Sequence, residues 1–150
     1  MRPIVPPPIV GLAAAGMIWL AFTYLPALTI AFPGRIFAAA IFAVAGVLIE
    51  GIGVIAFLRE RTTINPLRPE RAGSLVVSGL YRISRNPMYL GMAVLLTGWS
   101  LYLGSLAALI IVPAFVWLLT EIQIKPEEAA LEAVFGADYQ SYKARVRRWI

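Results

Sequence analysis

The chain has 150 residues, of which 60% are hydrophobic and 14% charged, and its formal net charge is +5. Soluble domains are about 45–50% apolar, so this composition excludes an ordinary soluble domain and indicates an integral membrane protein. The chain has no cysteine, which excludes a disulfide framework and thiolate chemistry. It also has no histidine, which is the commonest general base and the commonest metal ligand, so no metal site is predicted.

Four apolar segments are predicted to cross the membrane as helices. The first covers about residues 9–30 and the second about 36–58, after the break at "FPGR". Residues 87–120 carry no charge and would form about 50 Å of helix, more than the roughly 30 Å hydrocarbon core, so they are predicted to form a hairpin of two spans, 87–102 and 105–122. The predicted fold class is an all-α integral membrane protein whose residues 1–150 form a single domain.

The basic residues predict the orientation of these spans. With four spans, both termini and the 59–86 loop share one side, which collects every lysine and arginine except Arg35. Short cytoplasmic loops carry an excess of Lys and Arg, so this side is predicted to face the cytoplasm. Anionic lipid accounts for the basic balance, and no nucleic-acid partner is predicted.

Residues 123–150 follow the fourth span as a polar segment with helical periodicity and a predicted break at Gly136. The pattern predicts an amphipathic helical segment along the membrane interface, and its terminal "RVRRWI" is typical of a membrane-surface anchor. The apolar positions on one face are Leu131, Val134, Phe135, Tyr139, Tyr142, Val146 and Trp149.

The stretch "GLYRISRNPMYLG", residues 79–91, places Arg82, Arg85, Asn86 and Pro87 at the start of the third span. Asparagine as a cap and proline at the first helical position can simply start a helix, with the arginines marking the membrane edge. Alternatively, free backbone N–H groups and two guanidinium groups form an anion site, which would bind a carboxylate or a phosphate. Both interpretations remain open at this point.

Three acids are further candidates. Glu127 and Glu128 follow Pro126, where acids favour a helix start through the helix dipole. They could instead hold an ammonium group or the hydroxyls of a ribose beside the basic loop. Glu50 lies within the second span, where an acid is costly and suggests function unless it is hydrated or paired with arginine.

Glycines and aromatic residues have structural explanations. Gly51 and Gly53 favour close packing of helices. The aromatic side chains are predicted to be interfacial. These are Tyr81, Tyr89, Trp99, Tyr139 and Trp149.

Two stretches, "TTINPLRPERAGSLVVSGLYRISRNPMYLGM" and "EEAALEAVFGADYQSYKARVRRWI", together resemble the isoprenylcysteine carboxyl methyltransferase and phospholipid methyltransferase superfamily. The family pattern is roughly G-x-Y-x-x-x-R-H-P-x-Y-x-G, then two adjacent glutamates, then L-x-x-x-F-G-x-x-Y-x-x-Y. The matching residues are Gly79, Tyr81, Arg85, Pro87, Tyr89, Gly91, Glu127, Glu128, Leu131, Phe135, Gly136, Tyr139 and Tyr142. One position departs from the pattern, because Asn86 stands where the family has histidine, and asparagine cannot carry a proton or a positive charge.

The resemblance implies methyl transfer from S-adenosylmethionine, with Arg85 and Glu128 as catalytic residues. It implies a cofactor site in which Arg85 and Asn86 meet the carboxylate while Glu127 and Glu128 meet the ammonium group or ribose. The full implied set of cofactor-binding residues is Tyr81, Arg85, Asn86, Pro87, Tyr89, Leu90, Gly91, Glu127 and Glu128.

The implied partners are membrane lipids and a lipophilic or membrane-embedded acceptor with a carboxylate, amine or thiol. The expected location is a bacterial or archaeal cytoplasmic membrane, with the active site on the cytoplasmic side. Two alternatives remain. One is a nicotinamide-dependent membrane reductase. That family has the pattern "RHPNYxGE" at this place, whereas this chain has Met88 in place of the pattern's asparagine and Met92 in place of its glutamate. The other is a non-enzymatic lipid-binding membrane protein.

Overall fold

The computed structural model describes residues 5–60 and 73–150 as a bundle of helices, and these two ranges contain no β-strand. Its helices are α1 Pro7–Tyr24, α2 Arg35–Arg59, α3 Pro87–Leu103, α4 Ala108–Leu119, α5 Lys125–Phe135 and α6 Ala137–Arg145. By length and composition, α1, α2 and the continuous stretch Ala108–Phe135 can each cross a membrane, and α3 is a shorter apolar helix. The prediction of an all-α integral membrane protein is confirmed. Arg2, Arg61, Arg68 and Arg71, which contributed to the predicted orientation, lie outside the described residues.

The first helix is shorter than the predicted span. It ends at Tyr24, before the predicted residue 30, because Pro26 disfavours helical backbone at Leu25, which has φ −123° and ψ 64°. A 3-10 turn at Pro26–Leu28 then leads toward α2.

Helices α3 and α4 form the predicted hairpin, and the chain turns at Gly104. This glycine has φ 70°, a left-handed conformation that ends α3 without the strain a side chain would add. The turn lies against the α1–α2 connection, since the Ile30 N–H donates to the Gly104 carbonyl at 2.8 Å and the Leu106 N–H donates to the Leu28 carbonyl at 2.8 Å. As a result α4 begins at Ala108, later than the predicted residue 105.

The fourth span continues into the C-terminal segment as one helix as far as Phe135. After α4, a π-helical turn at Thr120–Ile124 leads directly into α5. The whole stretch has 28 residues and is about 42 Å long at about 1.5 Å per residue, longer than the roughly 30 Å core. A span needs at least about 17 residues, which from Ala108 reach Ile124, so we take the π-helical turn with Glu121 to lie at the membrane interface and α5 to lie beyond the span.

The helices pack around α3. One face of α3 meets α1 and α4 in an apolar core that includes Ile18, Leu96 and Leu119. The other face meets α2 through glycines, where a methyl group added at Gly91 would lie 2.9 Å from the Gly46 carbonyl oxygen. The lipid-facing surface carries exposed apolar side chains such as Leu12, Trp19, Phe37, Val44, Leu109 and Ile110.

Candidate functional site

The segment before α3 is folded onto the C-terminal tail. Pro87 is buried as the first residue of α3, and Asn86 stands at its N-cap position. The Asn86 side chain makes no capping hydrogen bond, and its Nδ2 instead donates to the Arg148 carbonyl at 3.0 Å. The side-chain cap, one of the two open interpretations, is therefore not formed, and the amide is instead directed toward the tail, 62 positions away in sequence.

The tail is held along this segment by its backbone. The Arg85 N–H donates to the Arg147 carbonyl at 3.0 Å, and Ser84 forms an isolated parallel β-bridge with Arg147. Beyond it, Trp149 Nε1 donates to Thr120 Oγ1 at 3.1 Å, and the Trp149 ring packs against the apolar core. Trp149 therefore contacts the bundle, and the membrane-surface anchor stays a prediction. The predicted helix break at Gly136 is confirmed, since α5 ends at Phe135 and α6 begins at Ala137.

Arg85, Glu128 and Arg148 form a cluster of charges that we call the ion cluster. Glu128 Oε1 lies 3.2 Å from Arg85 Nη2. Arg148 binds the same carboxylate twice, donating from Nε to Oε1 at 2.9 Å and from Nη2 to Oε2 at 2.7 Å. Two guanidinium groups face one carboxylate, so the cluster has a net charge of one positive unit. The structure thus brings together Arg85 and Glu128, the two residues implied to be catalytic.

The Arg85 guanidinium is incompletely satisfied. Its side chain is 9% exposed, and within the described part of the chain its Nε and Nη1 atoms are buried without a hydrogen bond of good geometry, although the Tyr139 hydroxyl interacts with the guanidinium group. Each buried donor left unpaired costs about 1–3 kcal/mol. An anion or another hydrogen-bond acceptor at this position would remove that cost, so the geometry favours an anionic ligand at Arg85.

Glu127 has a different environment from its neighbour. Its Oε1 accepts a hydrogen bond from the Tyr89 hydroxyl at 2.7 Å and another from Gln123 Nε2. Burial raises the pKa of Glu127 to about 7, although the two hydrogen bonds lower it. Glu127 and Tyr89 therefore form a polar pair that can offer both a donor and an acceptor to hydroxyl groups.

The tyrosines of the motif are buried, so their predicted interfacial position is wrong. Tyr81, Tyr89 and Tyr139 all lie in the interior of the protein. The Tyr81 carbonyl accepts a hydrogen bond from the Tyr142 hydroxyl at 2.7 Å, which joins α6 to the turn before α3. Tyr139 lies beside the ion cluster, where burial raises its pKa to about 12 while the Arg85 guanidinium acts in the opposite direction.

Of the remaining residues of the implied cofactor site, Gly91 packs against α2, whereas Pro87 and Leu90 lie near the ion cluster. Gly91 faces α2, where an added methyl group would lie 2.5 Å from Glu50 Cγ, so the structure gives it a packing role away from the ion cluster. Gly53 packs against Met88 as predicted, whereas Gly51 faces open space, which contradicts its predicted packing role. Pro87 is buried and Leu90 is partly buried one turn beyond the ion cluster.

Two residues of the site were missed by sequence reasoning. Arg148 was counted only as a basic anchor residue, and nothing in its position indicates a partner 20 residues earlier. Gln123 had a usable signal, because it precedes Glu127 by four residues and therefore shares its helical face. The described residues contain no group of three His, Cys, Asp or Glu side chains that could hold a metal ion.

Comparison with known proteins shows one matching family and several relatives. The model of the phospholipid methyltransferase family matches residues 34–138, more than half of the chain. An uncharacterized protein of Haemophilus influenzae is 41% identical over 63 residues, which are 42% of this chain and 100% of that protein. No solved structure matches.

Several relatives have a named activity. The protein-S-isoprenylcysteine O-methyltransferase of Schizosaccharomyces pombe is 31% identical over 48% of this chain and 30% of its own length. Protein-S-isoprenylcysteine O-methyltransferase B of Arabidopsis thaliana is 30% identical over 67% of this chain and 51% of its own length. The chain therefore spans about half or less of the named methyltransferases that it matches.

Proposed function

The chain belongs to the phospholipid methyltransferase family, and we propose that it is a membrane enzyme that transfers a methyl group from S-adenosylmethionine to a lipophilic acceptor. The acceptor would present a carboxylate, an amine or a thiol. When bound, S-adenosylmethionine supplies an electrophilic methyl group on its sulfonium. The names of the relatives, which are O-methyltransferases, support this class of reaction.

The observation that carries the proposal is the buried Arg85 guanidinium. Its two unpartnered nitrogens lie beside a carboxylate, so the site can pair both charges of an α-amino acid. Arg85 would bind the cofactor's carboxylate, and Glu128 would bind its ammonium group. Charge-assisted hydrogen bonds of this kind are about twice as strong as neutral ones.

Other residues would contribute through position. Glu127 and Tyr89 would bind the ribose hydroxyls, since their hydrogen-bonded pair already contains an acceptor and a donor. Asn86 would act indirectly, because its amide holds the Arg148 carbonyl and so orders the tail over the helix start. Tyr81, Pro87 and Leu90 would form the wall of the pocket, and Gly91 would support it by letting α2 approach α3.

Methyl transfer to an acceptor in a membrane requires alignment and exclusion of water. Holding two reactants in the correct geometry can supply about 7–11 kcal/mol of the barrier reduction, so a chain without histidine can catalyse this reaction. The site lies at the end of the bundle where α3 begins and the tail docks. We propose that this end faces the cytoplasm, so that the polar cofactor enters from water and the acceptor enters from the bilayer.

Binding of S-adenosylmethionine to an Arg85→Ala variant tests the proposal. Calorimetric titration in detergent should show affinity weakened by on the order of 2–5 kcal/mol, as expected when a buried charge pair loses one partner. Arg82→Ala is the matched control, because Arg82 lies three residues earlier with an exposed side chain. It should change affinity by less than about 1 kcal/mol.

A folded Arg85→Ala protein that binds S-adenosylmethionine as tightly as the parent would contradict the cofactor role of Arg85. Titration of the parent with a reduced nicotinamide cofactor tests the reductase alternative, and absence of binding to either cofactor would favour a lipid-binding protein. The acceptor can be identified by mass spectrometry of lipids from cells with and without the gene, supplied with methyl-labelled methionine.

A further inference from the structure

We propose that Arg148 is an internal competitor for the cofactor's ammonium group. In the absence of cofactor, Arg148 occupies Glu128, and when the cofactor binds, its ammonium group takes the place of Arg148. This inference rests on the proposed function, because it takes Glu128 as the ammonium site. It makes Arg148 a positioning residue that sets the affinity for the cofactor.

The Glu128 carboxylate is already occupied by two guanidinium groups. Both oxygens of its carboxylate are bound by Arg148, at 2.9 and 2.7 Å, and one of them also lies 3.2 Å from Arg85. The Glu128 side chain is only 11% exposed. An ammonium group therefore cannot reach this carboxylate with full hydrogen bonding unless one guanidinium moves away.

Exposure decides which guanidinium leaves. The Arg148 side chain is 34% exposed, whereas that of Arg85 is 9% exposed. Arg148 can rotate into water and regain its hydration, but Arg85 is enclosed and a buried charge without a partner is strongly unfavourable. Arg85 therefore stays in place and Arg148 is displaced.

The tail can remain docked while the Arg148 side chain moves. Its backbone is held independently by Asn86 Nδ2 on the Arg148 carbonyl at 3.0 Å and by the Arg85 N–H on the Arg147 carbonyl at 3.0 Å. Trp149 adds a hydrogen bond to Thr120. None of these contacts involves the Arg148 guanidinium, so exchange at Glu128 needs only a side-chain rotation.

The exchange also balances charge. Arg85, Glu128 and Arg148 sum to one positive unit, and the amino-acid end of the cofactor adds one carboxylate and one ammonium group. After exchange the carboxylate pairs with Arg85, the ammonium group pairs with Glu128, and Arg148 is the one cation of the cluster left in water. Because the demethylated product keeps the same ammonium group, the return of Arg148 to Glu128 would assist its release.

Titration of an Arg148→Gln variant of the full chain tests the competition. Removing the competitor should tighten S-adenosylmethionine binding by about threefold to tenfold, the range of a partly exposed ion pair that no longer has to be broken. Arg145→Gln is the matched control, since it makes the same charge change on an exposed side chain that contacts the Ser141 carbonyl. Its affinity should equal that of the parent. Arg148→Lys, which keeps the charge but cannot bind with two donors in a fork, should give an intermediate value.

A second ligand isolates the ammonium group. 5′-Methylthioadenosine lacks the amino-acid portion of the cofactor, so its affinity should be the same for the parent and Arg148→Gln. A gain with S-adenosylmethionine and none with 5′-methylthioadenosine supports the inference. An Arg148→Gln protein with unchanged thermal stability and equal or weaker S-adenosylmethionine affinity overturns it, and so does an equal gain for both ligands. A parent that binds neither ligand overturns the proposed function itself.

Discussion

At the scale of single residues, Glu127 and Glu128 show how two adjacent acids acquire different chemistry. Successive residues on a helix point about 100° apart. Glu128 therefore meets two guanidinium groups, while Glu127 meets the neutral donors of Tyr89 and Gln123. Glu128 is the buried acid of an ion cluster, and Glu127 is a partly buried carboxyl group with neutral partners.

Glu127 should make stability depend on pH. Burial raises its pKa to about 7 from the ordinary value of 4.5, so the folded protein binds this proton more tightly than the unfolded chain does. The stability that this bound proton adds to the folded protein is fully present below pH 4.5 and is lost as the pH rises to about 7. Thermal unfolding should therefore be measured for the parent and for Glu127→Gln at several pH values in this range. The melting temperature of the parent should fall more steeply with rising pH than that of the variant.

A control of opposite sign is available in α5. Glu132 is partly exposed, and its hydrogen bonds from Lys143 and Gln140 lower its pKa, so its contribution to the stability of the folded protein is lost as the pH falls. The parent should lose a small amount of stability in acid that Glu132→Gln does not lose. Near neutral pH the dependence of stability on pH should be the same for both proteins. Parallel unfolding curves for the parent and Glu127→Gln between pH 4.5 and 7 would show that Glu127 is not held as described.

At the scale of elements, glycines let α2 and α3 approach closely at the start of the site. Gly46 and Gly53 of α2 are seven residues apart, as are Gly91 and Gly98 of α3, and methyl groups added at these positions would collide with the facing helix. Close contact of this kind contributes strongly in a membrane, because helix association there depends on packing. The position of α3, and with it that of Arg85, therefore depends on small residues away from the ion cluster.

Gly91→Ala should be destabilising for this reason. The new methyl group would lie 2.5 Å from Glu50 Cγ and 2.9 Å from the Gly46 carbonyl oxygen, so the helices must separate. Overpacking of this kind costs about 1–3 kcal/mol. Gly51→Ala is the control, because no heavy atom lies within 4 Å of its added methyl group, and thermal stability should stay the same or rise. A Gly91→Ala protein of normal stability with weakened S-adenosylmethionine binding would instead support a direct cofactor contact at Gly91.

At the scale of the whole molecule, the bundle has two distinct ends. One end holds the turn at Gly104 against the α1–α2 connection, and Arg35 there donates to the Leu103 carbonyl at 3.4 Å. The other end holds the start of α3, the end of α2, helices α5 and α6, and the tail. The candidate site is built entirely at this second end, where segments far apart in sequence meet.

Single cysteines should report these two ends, since the chain has no cysteine of its own. A membrane-impermeant thiol reagent should label Ser78→Cys and Ser141→Cys from one side of the membrane and Ala27→Cys from the other. All three native positions are exposed in the structure. Reaction in intact cells and in inverted vesicles should also place Ser78 and Ser141 in the cytoplasm. Labelling of Ala27→Cys and Ser78→Cys from the same side would contradict this arrangement.

The sequence alone determined the features that depend on neighbouring residues. Apolar length predicts the spans, Pro87 predicts the start of α3, and Gly136 predicts the break between α5 and α6, because these residues act on their own backbone. The motif around Arg85 and the paired glutamates also predicts which chain segments build the site.

Only the tertiary structure decided how these parts face one another. Lipid tails are as apolar as leucine, so an apolar helix pattern does not reveal which glycine packs or which tyrosine is buried. A basic tail is equally compatible with the membrane surface and with the protein. In the folded protein Arg148 binds Glu128, because the backbone pairing of Arg147 with Arg85 places the Arg148 Nε atom 2.9 Å from the Glu128 carboxylate.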